Sequence, residues 1–424
     1  MFLGGIMSFK FMHAADIHLD SPLRGLEKYQ GAPVEEVRGA SRQAFIHLVS
    51  ECIAQPVSFL LLVGDLYDRD WKDYNTGLFL LQQMALLKAA GIPVYIVRGN
   101  HDAENAMTKS LRSLDNMHVF SATKPETFLL AAHNVALHGQ SYGKAETTVD
   151  LSLNYPKPVP GAFNIGLLHT SADGNSREHA TYAPCSVQKL IERGYDYWAL
   201  GHVHKRRELC VDPPIVFPGN LQGRHIRETG PKGATLVTVQ SGSTTLEHRD
   251  FDVMRWFAQD VSVAEARSAA AAIDQVHDAL AALRQTEGDK PLAVRVRLHG
   301  ASEAHRELLS DIERWTNEVR ARGTELADVW VEKVIFETRS PIDVAAMRLR
   351  ATPLGELLRT LDADRHDPIA LAELGKELTG LQEKFGNVDD VDPPAYNSAE
   401  SVFAMLDDVE QLLIPLLLEG GDSA

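Results

Sequence analysis

The sequence contains few cysteines, and none of them forms a metal-binding pair. Its 424 residues include only Cys52, Cys185 and Cys210, which are far apart and show no Cys-x-x-Cys spacing. An odd number of scattered cysteines argues against a disulfide framework and against a thiolate metal site. We therefore expect a reducing, cytoplasmic location.

Long apolar segments are also lacking. The best candidate, residues 412–418, is interrupted by Pro415 and falls far short of the roughly 20 residues that a membrane helix needs. Residues 1–10 show no basic segment followed by an apolar one, as a secretory signal would. We expect neither membrane association nor a signal peptide. Met7 offers an alternative start, and residues 1–8 are left outside the predicted fold.

Positive charge is in short supply as well. The chain has 42 Lys and Arg against 58 Asp and Glu, a formal net charge of −16. Residues 340–424 alone hold 17 acidic and 6 basic side chains, so most of the excess lies in this segment. Bound divalent cations would offset part of the negative charge on the remainder of the chain. Net charge therefore neither supports nor excludes a nucleic-acid substrate.

The first 250 residues are rich in short apolar strands that alternate with helical stretches. This alternation predicts an α/β fold, and runs such as Phe59–Val63 are typical of strands covered on both faces. Residues 234–240 and 244–250 read as a closing hairpin across a Gly-Ser turn. The predicted strands are 9–14, 59–63, 94–97, 135–138, 164–168 and 197–200, and the helices are 40–54 and 76–90.

Two further segments follow this domain of residues 9–250. Residues 253–339 read as strand, helix (264–283), strand, helix (302–321) and strand, which predicts a small α+β domain. Within it, alternation places Val294 and Val296 on one face of a strand and Arg295 on the other. Residues 340–424, here called the acidic tail, show short helical patterns broken by prolines.

Five polar motifs occur in order at the ends of predicted strands. Since ligands bind outside the carboxyl ends of strands in open α/β sheets, we expect the motifs to converge. Singly each is weak evidence, because a Gly-Asp is often a turn and a lone histidine is often a core residue. Together they indicate a metal site. They are Asp16-Ile17-His18, Gly64-Asp65-Leu66-Tyr67-Asp68, Gly99-Asn100-His101-Asp102, His169, and Gly201-His202-Val203-His204.

The residue types in these motifs suit a pair of divalent cations. Carboxylate, imidazole and amide ligands favour Mn²⁺, Fe²⁺ or Zn²⁺. Two such ions can bind the attacking and the leaving oxygen of an in-line displacement. Of the other histidines, His47, His277 and His305 are expected at solvated positions, whereas His13 is either a core residue or a partner of a ligand.

The ordered motifs resemble the signature of the calcineurin-like metallophosphoesterases. Within that class the chain is similar to the SbcD-type DNA repair exonucleases, and most of all to their YhaO-type branch. The resemblance is strong over residues 9–250 and weaker over 253–339. It is carried by the segments HAADIHLDSPLRGL, GDLYDRDWKDYNTGLFL, VRGNHD and FPGNLQGRHIRE. Asp70 and Asp102 depart from the GDxxDRG and GNHE patterns of the Ser/Thr phosphatases in the same class.

The resemblance implies a four-layer αββα sandwich and a role for each motif residue. Asp16, His18 and His204 would hold the first metal, Asp65 would bridge both metals, and Asn100, His169 and His202 would hold the second. His101 would act as general acid or phosphate contact, oriented by Asp102. Asp68 would contact a ligand rather than a metal.

The resemblance also implies a substrate and partners. The leading hypothesis is a manganese-dependent DNA exonuclease or endonuclease, with Arg224, Arg69 and Tyr67 as substrate-binding residues. The alternative is a phosphatase or cyclic-nucleotide phosphodiesterase acting on a small ester. An SbcC-like or YhaN-like ATPase would bind the acidic tail. The alternative is that the tail folds back on the chain itself. Formation of a homodimer is left as an open alternative.

Overall fold

The computed structural model describes residues 8–21, 34–67, 74–104, 114–144, 147–172, 184–342, 344–385 and eight positions between 401 and 417. Within it the chain divides into two compact units. The first comprises residues 1–258, 286–295 and 328–332, and the second comprises 259–285, 296–327 and 333–424.

The first unit contains a six-stranded sheet formed mostly by predicted strands. Its members are β1 (Ser8–Ala14), β2 (Phe59–Val63), β3 (Val94–Val97), β4 (Met117–Val119), β11 (Gly233–Gln240) and β12 (Ser243–Asp250). Their order is β12-β11-β1-β2-β3-β4. Strands β1 to β4 run parallel, whereas the hairpin of β11 and β12 is antiparallel, with β11 paired to β1.

The same unit contains a second six-stranded sheet. Its members are β5 (Glu126–Leu130), β6 (Val135–Gly139), β7 (Phe163–His169), β8 (Tyr197–Gly201), β9 (Arg207–Val211) and β10 (Pro214–Phe217). Their order is β5-β6-β7-β8-β10-β9. The central strands β6, β7, β8 and β10 are parallel, and an antiparallel strand closes each edge.

Side-chain alternation along the strands creates the layers. In β2, Phe59, Leu61 and Val63 join the apolar core shared by both sheets, whereas Leu60 and Leu62 pack under helices. Inside the shared core, Phe11 stacks on Phe59 with ring centroids 5.0 Å apart. Burying side chains of this size on both faces stabilises the sandwich by roughly 1.5–3 kcal/mol each.

Helices cover the outer face of each sheet. Helices α1 (Val34–Ala54) and α2 (Tyr74–Ala89) pack on the first sheet through residues such as Leu48 and Leu80. The outer face of the second sheet, which includes Trp198, is covered by α4 (Val187–Glu192) and a 3-10 turn at Leu151–Asn154. The predicted four-layer αββα arrangement is therefore confirmed. The short α3 (Asn100–Glu104) follows β3.

The remaining elements form a three-stranded sheet and a series of helices. The sheet contains β13 (Arg255–Ser262), β14 (Leu292–Ala301) and β15 (Val329–Arg339) in sequence order. The helices are α5 (Ala269–Glu287), α6 (His305–Ser310), α7 (Ile312–Glu325), α8 (Val344–Arg348), α9 (Pro353–Arg365) and α10 (Pro368–Phe385). Among the helices of the described ranges, none is long and apolar enough to cross a membrane.

Two local predictions in the α+β segment were wrong. The single helix expected over residues 302–321 is two helices, because Asp311 leaves helical geometry and its side chain caps α7 by accepting from the Arg314 amide. His305 is buried rather than solvated, and its Nδ1 lies 2.9 Å from the Thr338 hydroxyl. Val294 and Val296 are buried as the alternation predicts.

Candidate metal centre

The strand ends of the two sheets bring the five motifs together. Asp16 and His18 follow β1, Asp65 follows β2, and Asn100 follows β3 in the first sheet. In the second sheet, His169 is the last residue of β7, and His202 and His204 follow β8. Because these strands are parallel within each sheet, their carboxyl ends meet at one edge of the sandwich.

One group of candidate metal ligands consists of Asp16, His18 and His204. Each offers a side-chain oxygen or nitrogen, and these atoms all lie within 4.8 Å of one another. The Nε2 atoms of the two imidazoles are 3.2 Å apart. Both oxygens of Asp16 accept from the His202 amide, at 3.1 and 3.0 Å, which links the first motif to the last.

A second group consists of Asp65, His169 and His202, with the same 4.8 Å limit. The His169 Nε2 lies 3.5 Å from the Asp65 Oδ2 and 3.0 Å from the Asn100 Oδ1. The Asp65 Oδ2 is also 3.9 Å from the His18 Nε2 of the first group. Asp65 therefore lies between the two groups, where one carboxylate can serve two cations.

The glycine before each of three ligands is required by packing. A Cβ on Gly64 would lie 2.1 Å from the His169 Nδ1, and a Cβ on Gly99 would lie 2.2 Å from the Asp65 Oδ1. A Cβ on Gly201 would lie 1.8 Å from the Val63 oxygen and 3.0 Å from the His169 Nδ1. Only glycine lets these strand ends approach closely enough for the ligands to meet.

Several ligands occupy strained backbone. Asp16, His18, Asp65 and His202 have φ values of 52°, 45°, 51° and 104°. Residues with a Cβ rarely adopt positive φ, and such strain persists where the surrounding structure enforces it, often at functional sites. Amide bonds between the loops supply that enforcement, since His18 N donates to the Asp65 oxygen at 2.9 Å and Asp16 N donates to the Gly64 oxygen at 3.0 Å.

Hydrogen bonds orient two of the imidazoles so that Nε2 faces the ligand groups. The Nδ1 of His169 donates to the Val63 carbonyl at 3.1 Å. The Nδ1 of His204 lies 2.6 Å from the Glu228 Oε1. Partners of this kind fix the tautomer and ring orientation of metal-binding histidines.

Burial and mutual charge perturb the acidic and basic groups strongly. Burial, with a smaller contribution from Asp65, raises the pKa of Asp16 to about 8 and that of Asp102 to about 7. Burial would lower the pKa of His169, but the Asp65 and Asp16 carboxylates outweigh it and raise that pKa to about 9. Conversely, His169 and His18 overcome burial and hold the pKa of Asp65 well below its usual value.

These donors fit two divalent cations. The carboxylates are buried and need a nearby positive charge, and the imidazoles beside them turn Nε2 inward. Divalent ions bind in an environment of this kind. Asp16, His18 and His204 would hold one ion, Asn100, His169 and His202 would hold the other, and Asp65 would be shared. When bound, the ions supply Lewis-acid charge for phosphoester hydrolysis.

His101 and Asp102 lie beside the ligands in different settings. His101 is half-buried, its ring centroid is 5.1 Å from that of His18, and its amide donates to the Asp65 Oδ1 at 3.0 Å. Asp102 is buried and accepts from the amides of Leu66, Tyr67 and Gly99, at 2.9, 3.2 and 3.0 Å. These bonds make Asp102 a residue that joins the second and third motif loops.

The three predicted substrate-binding residues have different outcomes. Arg224 lies next to the ligands, with its Nη2 3.3 Å from the His204 Nδ1. Tyr67 is only 3% exposed and packs in the apolar core under the helices, so the structure does not support substrate contact for it. Arg69 and Asp68 lie outside the described residues.

Sequence reasoning missed Glu228 and Asn220. Both follow β10 in the loop around Arg224 and are buried, and the Asn220 amide donates to the Glu228 Oε2 at 3.0 Å. Neither has a ligand-like spacing from the five motifs, so only the folded loop reveals them. His13 proves to be a core residue, bonded to the Tyr197 hydroxyl and the Leu200 carbonyl at 3.0 and 3.1 Å.

Comparison with known proteins agrees with this geometry. The chain matches the calcineurin-like phosphoesterase family over residues 9–206 and the middle domain of metallophosphoesterase YhaO over residues 256–339. It is 34% identical over 296 residues to the uncharacterized metallophosphoesterase YhaO of Bacillus subtilis, covering 69% of this chain and 72% of that one.

More distant matches include a DNA double-strand break repair protein Mre11 of Methanopyrus kandleri. It is 24% identical over 285 residues, covering 60% of this chain and 59% of that one. Among solved structures, TT1561 of Thermus thermophilus aligns with 57% of this chain and 99% of its own, at 13% identity and a TM-score of 0.33. From its two family matches and its identity to YhaO, the chain belongs to the calcineurin-like metallophosphoesterases and carries a YhaO middle domain.

Proposed function

We propose that this metallophosphoesterase is a DNA nuclease, an exonuclease or endonuclease that hydrolyses phosphodiester bonds with two Mn²⁺ ions and acts in DNA repair. The observation that carries the proposal is the position of the Asp65 Oδ2, 3.5 Å from the His169 Nε2 and 3.9 Å from the His18 Nε2. A shared carboxylate of this kind suits a pair of ions acting on one phosphate. The oxygen and nitrogen donors suit Mn²⁺, and they also suit Fe²⁺ or Zn²⁺.

Two side chains beside the ligands are placed to act on the substrate. His101 lies against His18, where its imidazole can contact the phosphate or give a proton to the leaving oxygen. Arg224 presents a guanidinium beside His204, with an Nη1 3.5 Å from the Ser21 hydroxyl. A guanidinium suits the two oxygens of a phosphodiester.

The similarity to an Mre11 repair protein favours DNA over a small ester. The test compares Mn²⁺-dependent cleavage of linear single- and double-stranded DNA, labelled at the 5′ or 3′ end, with hydrolysis of chromogenic phosphate monoesters and diesters. We expect DNA to be degraded by the parental chain and not by His169→Ala. A Glu332→Gln chain, altered at an ion pair with Arg295 outside the site, serves as control. Rapid hydrolysis of a monoester or a cyclic nucleotide, together with no cleavage of DNA, would identify a phosphatase or phosphodiesterase instead.

We further propose that the acidic tail binds an SbcC-like or YhaN-like ATPase in the cytoplasm. Apolar side chains in this segment are exposed, Leu349 to 88% and Ile369 to 71%. An acidic surface would repel DNA phosphates and so favours a protein partner. Buried positions in the same segment, including Leu358, Leu371 and Ile414, support a tail that is itself folded.

A further inference from the structure

We propose that Glu228 is a positioning residue that holds His204 in the tautomer required for metal binding. It would thereby set the affinity of the ligand group of Asp16, His18 and His204. The assignment rests on the two-metal centre of the proposed function, but it does not depend on the identity of the substrate.

The contacts of Glu228 leave its carboxylate little freedom. Oε1 lies 2.6 Å from the His204 Nδ1, and Oε2 accepts from the Arg224 amide at 2.7 Å and from the Asn220 side chain at 3.0 Å. The side chain is 8% exposed. A buried carboxylate bonded through both oxygens has one orientation, so it can define the orientation of the ring that it contacts.

This contact determines which nitrogen of His204 carries the proton. Glu228 accepts from two N–H groups through Oε2, and its Oε1 lies 2.6 Å from the His204 Nδ1, closer than the Arg224 Nη2 at 3.3 Å. The Nδ1 of His204 is therefore the donor to Oε1. In a neutral imidazole the lone pair is then on Nε2. That Nε2 lies 3.2 Å from the His18 Nε2, where the ligand atoms of the first group converge.

The imidazole of His169 in the second group is oriented by a different partner, so the effect of Glu228 on the first group can be measured separately. The Nδ1 of His169 donates to the Val63 carbonyl, a backbone group that no substitution of a side chain removes. Loss of Glu228 should therefore weaken metal binding by the first group, while Asp65, His169 and His202 stay in place.

The loop that carries Glu228 is anchored away from the metal groups. The indole of Trp256 donates to the Gly223 oxygen at 3.0 Å, and the Gln222 side chain bonds the backbone at Val253 and Met254 at 2.9 and 2.8 Å. The Arg224 Nη2, 3.4 Å from the Glu228 Oε1, offsets the buried negative charge. The loop is thus anchored from outside the centre, whereas the Arg224 guanidinium lies beside the ligands.

The test uses the full chain and measures Mn²⁺ binding by calorimetry, with elemental analysis for stoichiometry. We expect Glu228→Ala to weaken one of two Mn²⁺ sites by roughly 10- to 100-fold and to leave the other unchanged. Glu228→Gln retains an acceptor for the His204 Nδ1, so its affinity for Mn²⁺ should fall less than that of Glu228→Ala. Activity of both variants should return at saturating Mn²⁺, because the chemistry itself is intact.

Glu332→Ala is the matched control, since Glu332 is also 8% exposed and paired with an arginine. It should bind both ions like the parental chain. Equal weakening of both sites by Glu228→Ala, no weakening at all, or the same loss in the control would overturn the proposal. A parental chain that binds no Mn²⁺ would overturn the proposed function as well, and the two failures are therefore distinguishable.

A second measurement needs no variant and decides the case if Glu228→Ala does not fold. Nitrogen-15 NMR of labelled histidine in the metal-free parental chain reports the tautomer of His204. We expect the Nδ1–H tautomer with a strongly downfield proton, as its 2.6 Å bond to Glu228 implies. Detection of the Nε2–H tautomer would overturn the proposal.

Discussion

At the scale of single residues, Asp65 lies between the two metal groups. Its Oδ2 approaches an imidazole from each group, and its Oδ1 accepts from the His101 amide. We expect Asp65→Asn to lose metal and activity together, because a neutral amide cannot balance the charge of two cations. Elemental analysis after gel filtration checks this, and retention of two metals per chain would contradict the assignment.

His101 should behave in the opposite way to the ligands. It belongs to neither metal group, although its ring lies beside His18. His101→Ala should keep both metals and lose about 10²–10⁴-fold in turnover, the usual contribution of acid–base catalysis. Metal content and single-turnover DNA cleavage are measured on the same preparation. A parental rate of cleavage would exclude a role for His101 in the chemistry.

At the scale of elements, the meeting of strand ends depends on the motif glycines. Gly201→Ala would place a Cβ 1.8 Å from the Val63 oxygen, beside His169. We expect a loss of about 1–3 kcal/mol in the free energy of unfolding from this overpacking, together with weaker Mn²⁺ binding. Urea unfolding and a Mn²⁺ titration measure the two effects.

Gly39→Ala is the control for this substitution. Gly39 lies in helix α1, and a Cβ there would have nothing within 4 Å. Alanine should stabilise the helix by up to about 1 kcal/mol and leave Mn²⁺ binding unchanged. A Gly201→Ala chain as stable as this control, with parental metal affinity, would show that the close approach is not needed.

At the scale of the whole molecule, the acidic tail and the metal centre should be separable in function. The double variant Leu349→Asp and Ile369→Asp changes two exposed apolar side chains of the tail and should abolish co-purification with the proposed ATPase partner. Mn²⁺-dependent cleavage of short single-stranded DNA should persist. Leu129→Asp, at a leucine of strand β5 that is 67% exposed, controls for the added charge. Undiminished ATPase binding by the double variant would refute docking through these residues.

The sequence by itself determined the layers of the sandwich and the loops that carry the ligands. Runs such as Phe59–Val63 specify strands covered on both faces, because a strand places alternate side chains on opposite sides. The motifs that follow these runs lie at strand ends for the same local reason. Their position at strand ends therefore predicted that the motifs converge, and the resemblance to the metallophosphoesterases implied that Asp65 and His169 share a metal.

Only the tertiary structure decided how the ligands are held. Glu228 reaches His204 across 24 residues and Asp102 reaches Leu66 across 36, and no local pattern encodes such contacts. The same holds for Tyr67, which follows a ligand in the sequence but packs into the core, and for His305, which a distant Thr338 makes a buried residue. Burial and hydrogen-bond partners arise from chain segments that meet in space, so periodicity along one segment does not reveal them.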